Sequence, residues 1–240
     1  MTFDPGRVTL SLTIGDGVVR CVGVTCERPN VARLLRGKPA EQAVLLLPLI
    51  YSLCGKAQGI AARAALAAAR GNAVEAHVDD EVQAEAAREH AWKLFVDWPR
   101  QFRLALDETF FVQLVRAPSS ERSGLARLLM AHPLPAALAD WLMGRPQLLG
   151  TVTAMSPSAG VGIATAETAR GTLKHRLSLD GDEVADYAVI APTDVHFAPG
   201  GDVANWLQRL NGMSKANAEQ QALHLALAFD PCVPWYCEFS

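Results

Sequence analysis

The sequence has no Cys-x-x-Cys pair, and its five cysteines are an odd number scattered along the chain. That spacing excludes a disulfide framework, and it fits poorly with structural zinc, which takes four Cys or His ligands at tight spacings. Basic residues are not in excess: 22 Lys and Arg against 25 Asp and Glu leave a net charge near −3. Nothing marks a nucleic-acid partner, and mild acidity favours only solubility. Long apolar runs are missing as well. The longest, residues 43–53, contains Pro48 and falls short of the roughly 20 residues that a membrane span needs. Met1-Thr2-Phe3-Asp4-Pro5 has neither a charged head nor an apolar stretch, so no signal peptide is expected. The expectation is a cytoplasmic protein with reduced thiols and no membrane attachment.

What is present is an ordinary globular composition, half hydrophobic, in 240 residues. A chain of this size can bury roughly 70–75% of its unfolded surface, enough for one good core. The pattern predicts a single domain over 1–240 with three parts: an N-terminal hairpin at 8–24, a helical core at 29–143 and an α+β part at 151–240. The fold class expected is α+β, a mainly helical core with short antiparallel β-hairpins.

In the hairpin, Val8, Leu10, Leu12 and Ile14 alternate with Thr9, Ser11 and Thr13, and Gly15-Asp16-Gly17 supplies the turn. Cys21 and Cys26 lie in or just after the return strand and read as buried thiols packed like small hydrophobes. Residues 40–53 are apolar on every side, as in a helix at the centre of a bundle. Residues 55–70 are rich in alanine, the best helix former, and small enough for close approach. Asp79-Asp80 opens a helix whose apolar stripe is Val82, Ala86, Trp92, Phe95 and Val96, and Pro99 is expected to break it. Further helices are predicted over 102–115, 120–131 and 135–143. Residues 156–162 read as a flexible loop; its Gly-x-Gly lacks the strand-turn-helix setting of a dinucleotide site. Leu173, His175, Leu177 and Leu179 share one strand face, Asp180-Gly181 turns, and residues 184–190 pair back. His175 reads as a hydrogen-bonded core histidine. Helices over 202–210 and 214–228, the latter capped by Ser214, lead into the final corner.

That corner, Asp230-Pro231-Cys232-Val233-Pro234-Trp235-Tyr236-Cys237, holds two cysteines with four residues between them. Cys54 lies far upstream in Ser52-Leu53-Cys54-Gly55-Lys56, ahead of the alanine-rich helix. A helix N-terminus and a nearby cation both favour thiolate, and thiolates select soft or borderline metals. Proline fixes the backbone before Cys232. On these residues alone, a soft-metal site and incidental thiols both remain open.

Six segments in order resemble the large subunit of nickel-iron hydrogenases in a shortened and altered form. They are Gly6-Arg7-Val8-Thr9, Leu35-Arg36-Gly37-Lys38-Pro39, Leu53-Cys54-Gly55, Glu167-Thr168-Ala169-Arg170-Gly171, Ala191-Pro192-Thr193 and Asp230-Pro231-Cys232. Departures are equally clear. Ala57 stands where the family has the second cysteine of its first motif, and Trp235 where it has that of its last, with Cys237 two residues on. Thr9 replaces a glutamate, and Ala61 a histidine. The pattern is similar to that of the HupK/HoxV-type hydrogenase assembly proteins.

The resemblance implies a carrier and not an enzyme. It implies a maturation scaffold or chaperone that holds an Fe(CN)2CO unit transiently, without nickel, and passes it to the hydrogenase apo large subunit. General maturation factors of the HypC/HypD type are the implied suppliers. Implied metal ligands are Cys54, Cys232 and Cys237, the first two corresponding to terminal nickel ligands in the family. Arg170, Pro192 and Thr193 are the implied pocket, with guanidinium and hydroxyl donors for cyanide nitrogen. The alternative is a metal-free binding protein that holds hydrogenase subunits or maturation factors.

Overall fold

The computed structural model describes residues 4–102, 112, 116 and 149–240. The helices predicted over 120–131 and 135–143, and most of that over 102–115, lie outside the described residues. Two compact units divide the chain: a discontinuous one, Met1–Leu35 with Ala188–Ser240, and a continuous one, Arg36–Tyr187.

In the discontinuous unit, β1 (Arg7–Gly15) and β2 (Val18–Glu27) form the expected antiparallel hairpin. Asp16 and Gly17 take φ of 53° and 76° in the turn, which suits a tight hairpin between right-twisted strands. The opposite edge of β1 is filled by β8 (Trp235–Phe239), in parallel register with Leu10 opposite Cys237. This makes β1 the centre of a β2-β1-β8 sheet, and Val8, Leu10 and Leu12 are fully buried on one face. Four α-helices and a 3-10 turn (Gln208–Leu210) complete the unit among the described residues, the helices being α1 (Ala32–Leu35), α6 (Pro192–His196), α7 (Asp202–Leu207) and α8 (Lys215–Phe229). Ser214 holds the N-cap position of α8, but its hydroxyl makes no capping bond. Cys21 is exposed and Cys26 half-buried, which corrects the reading of both as buried. Cys21 sits opposite Thr13, where the register slips before Ile14 and the strand face turns outward.

The continuous unit starts with α2 (Ala40–Ile50), a 3-10 turn (Ser52–Cys54) and α3 (Gly55–Ala69), the two helical stretches meeting at 97°. No single helix among the described residues is long and apolar enough to cross a membrane. The apolar character of α2 does not translate into all-round burial. Ala40, Ala43, Val44 and Leu47 are buried, while Leu45 and Leu49 are 66% and 75% exposed, because α3 covers one face only. Helix α4 (Asp80–Trp92) opens as expected, with the Asp79 carboxylate accepting from the Glu81 and Val82 amides. Pro99 does not end the helical run. A π turn (Lys93–Asp97) leads straight into α5 (Trp98–Phe102), and a proline in the first turn after it is tolerated for want of an amide.

A five-stranded sheet follows the order β3-β4-β5-β6-β7, formed by His77–Val78, Thr151–Ser158, Val161–Thr168, Gly171–Asp180 and Glu183–Ile190. Residues 156–162 are therefore not a loop: only Ala159-Gly160 turn, and β4 and β5 pair antiparallel on either side. The glycine that looked like loop chemistry serves packing. Helix α3 lies against β4, β5 and β6, and a Cβ built on Gly162 would overlap the Ala65 carbonyl oxygen. Ala164 and Ala166 extend the same small face along β5. The α+β class holds, with a larger share of sheet than a mainly helical core implies.

Candidate functional site

Cys232 sits in the turn between α8 and β8. Helix α8 ends at Asp230 with φ of 46°, a left-handed residue that turns the chain sharply into Pro231. Thr193, second residue of α6, meets this turn twice. Its Oγ1 accepts from the Cys232 amide at 3.1 Å and donates to the Cys232 sulfur at 3.2 Å. Pro192 starts α6 at its first position, where a fixed φ is preorganised.

A second donor reaches the same sulfur. Arg28 Nη1 lies 2.9 Å from Cys232 Sγ, and Arg28 Nε lies 3.5 Å from Asp194 Oδ1. The Arg28 side chain is only 10% exposed, so its charge is poorly screened by water. Asp194 is held in turn by the Ala191 amide at 2.8 Å. The sulfur is thus presented as an acceptor to a guanidinium and a hydroxyl. Cys26 belongs to this neighbourhood. Burial first, then Asp194 and Cys232, push its thiol up to about 11 against the opposing pull of Arg28.

Cys237 stands elsewhere in the unit. It lies in the middle of β8, and burial and then Glu219 of α8 push its thiol up to about 11. Two units above an ordinary thiol means about 100-fold less thiolate near neutral pH. Peptide-resolved labelling with iodoacetamide at pH 8 is therefore expected to modify Cys26 and Cys237 about 100-fold more slowly than a free cysteine peptide. Equal rates would contradict the burial assigned to them.

In the continuous unit, Cys54 closes the 3-10 turn and occupies the N-cap position of α3. Gln58 Nε2 donates to its sulfur at 3.6 Å. The first amides of α3 are satisfied from α4: Glu85 accepts from Lys56 N at 2.8 Å and from Ala57 N at 3.1 Å. Burial raises the Glu85 pKa, and those two amides oppose the rise. One turn on, Glu89 pairs with Arg170 at 3.1 Å, both side chains at least 85% buried. Arg170 itself rides on a tight turn in which Thr168 Oγ1 donates to the Gly171 carbonyl and Gly171 takes φ of 124°. Cys54, Glu85, Glu89, Thr168 and Arg170 line one small recess, with room for roughly one water molecule.

The structure therefore brings Thr193 to Cys232, and Arg170 to the recess of Cys54. Arg28, Asp194, Glu85 and Glu89 escaped the sequence reading, and Cys26 was read only as a packing thiol. For the two glutamates a signal existed: Glu81, Glu85 and Glu89 recur every four residues and fall on one face of α4. Arg28 had none, because its partner is 204 residues away. Among the described residues no group of three or more His, Cys, Asp and Glu is arranged to hold a metal ion.

Fold and site define an α+β protein that presents cysteine sulfurs to buried hydrogen-bond donors. Over most of its length the chain is similar to proteins named hydrogenase expression/formation proteins. It is 27% identical to the hydrogenase expression/formation protein HupK of Azotobacter vinelandii, over an alignment covering 95% of this chain and 97% of the relative. It is 28% identical to HupV of Azotobacter chroococcum, with the same coverage of both chains. Against HoxV of Cupriavidus necator the identity is 34% over 59% of this chain and 34% of the relative. No family model matches the chain.

Proposed function

We propose that the protein is a hydrogenase maturation scaffold that carries an Fe(CN)2CO unit as cargo and delivers it to the apo large subunit. The observation that carries this reading is the Cys232 sulfur, held by Thr193 and Arg28 in one half-buried turn. A soft thiolate binds iron, and a hydroxyl and a guanidinium beside it are donors suited to cyanide nitrogen. Cys54 and Cys237 enter as separate candidate ligands, on the strength of the hydrogenase resemblance. Arg170 and Pro192 enter as pocket residues on the same ground. Cys232 is the better supported sulfur, because two donors already meet it. Nickel is not part of the proposal, because Ala57 and Trp235 stand where two cysteines of the hydrogenase motifs would be. The protein is then a carrier with no turnover, supplied by HypC/HypD-type factors in the cytoplasm.

Infrared spectroscopy on protein co-expressed with the general maturation factors tests this. Bound cyanide and CO stretches are expected in the wild type and lost in Cys232→Ala, with the far-UV circular dichroism unchanged. Cys54→Ala reports separately on the second candidate. Absence of bands in the wild type would favour the metal-free binding protein. Full occupancy in both cysteine variants would refute the ligand assignment, and hydrogen uptake by nickel-loaded protein would refute the carrier role.

A further inference from the structure

Behind Cys54 runs a continuous line of hydrogen bonds that ends deep in the continuous unit. The Tyr187 hydroxyl lies 2.7 Å from His175 Nδ1, His175 Nε2 lies 3.0 Å from Gln58 Oε1, and Gln58 Nε2 lies 3.6 Å from Cys54 Sγ. Gln58 and His175 have no exposure, and Tyr187 has 2%. Buried polar side chains of this size are costly unless satisfied, so a strand histidine, a strand tyrosine and a helix glutamine have reason to be linked.

The direction of each link follows from chemistry. Burial drives the His175 pKa down to about 3, so the ring is neutral and carries one N–H. Gln58 Oε1 can only accept, which puts that proton on Nε2. Nδ1 is then an acceptor, and the Tyr187 hydroxyl donates to it. Burial raises the Tyr187 pKa, so the phenol keeps its proton. With Oε1 accepting from His175, the amide presents its NH2 to the Cys54 sulfur.

We propose that Tyr187, His175 and Gln58 form a positioning relay that fixes an amide donor on the Cys54 sulfur and tunes the reactivity of that thiol. The relay lies within one unit and holds whether or not iron is carried, so its failure and that of the carrier reading are separable. None of the three touches a reacting atom except through Gln58. They are positioning residues for whatever soft metal or electrophile Cys54 meets.

The test is peptide-resolved alkylation of Cys54 by iodoacetamide across pH 6–10 on the full chain. Gln58→Leu removes the donor and is expected to move the midpoint of the Cys54 profile up by about half to one pH unit, slowing reaction at pH 7 about threefold to tenfold. His175→Phe frees the amide to rotate and should produce a partial shift. His175→Gln keeps a donor and an acceptor and should largely restore the profile. An unchanged Cys54 profile in folded Gln58→Leu overturns the proposal. If the variants fail to fold, nitrogen-15 NMR of the wild-type histidine decides instead: an Nε2–H tautomer for His175 supports the relay, and an Nδ1–H tautomer or an imidazolium at pH 7 overturns it.

Discussion

Gly162→Ala is expected to destabilise the continuous unit by about 3 kcal/mol or more. The added Cβ would overlap the Ala65 carbonyl oxygen and lie 2.7 Å from the Ala69 amide nitrogen. Both are backbone atoms inside α3, so no rotamer change can make room. Either the helix lifts from β5 or the strand bends away, and either motion opens contacts that α3 makes with β4, β5 and β6. Urea denaturation followed by circular dichroism measures this directly. A variant whose midpoint matches the wild type would mean that helix and strand are not in van der Waals contact there. Gly17→Ala provides a contrast: nothing lies near its Cβ, and only the φ of 76° is unfavourable, so a loss of about 1 kcal/mol is expected.

Acid should weaken the protein from about pH 6.5 downward, before most carboxylates titrate. His175 is fully buried, and its folded pKa of about 3 lies well below the unfolded value of 6.5. The unfolded chain therefore takes up a proton that the folded chain refuses. The stability tied to this imidazole is intact above pH 6.5 and falls as the pH drops toward 3, by up to about 1.4 kcal/mol per pH unit. At pH 5 the loss is about 2 kcal/mol. Glu85 acts with the opposite sign, since its raised pKa lets the folded state bind a proton first, returning some stability as that carboxyl titrates. The raised thiols of Cys26 and Cys237 contribute nothing on the acid side. Denaturation midpoints at pH 7 and pH 5 check the prediction, with His175→Gln expected to flatten the slope. A wild-type difference between the two values that His175→Gln leaves unchanged would rule out a buried neutral ring.

Local chemistry explains what was legible beforehand. Alternation across residues 8–14 marked β1, Asp79 marked the start of α4, alanine density marked α3, and His175 was read as a satisfied core group. The first three are set by neighbours within a few residues, and the apolar face of its strand marked His175. Misreadings came where distant packing overrides local preference. Gly160 and Gly162 look alike in sequence, yet one turns a hairpin and the other admits a helix. Pro99 reads as a stop unless the preceding π turn is known. Leu45 and Leu49 read as core until the partner helix proves to cover one side only. The strand β8 is five residues long and follows two prolines, and its partner is at the other end of the chain. The site shows the same division. Thr193 and Cys232 came through motif order, while Arg28 required the fold to bring residue 28 to residue 232.

The parallel pairing of β1 with β8 bears on when the protein can mature. Strand β1 is synthesised early, but its second edge stays open until residue 239 has been made, a loop closure of more than 220 residues. Such long-range pairing forms slowly, whereas Arg36–Tyr187 is contiguous and can collapse while translation continues. Cys232 gains Arg28 and Thr193 only when both segments of the discontinuous unit have closed. If the sulfur carries the proposed iron unit, loading is expected to follow closure of both segments.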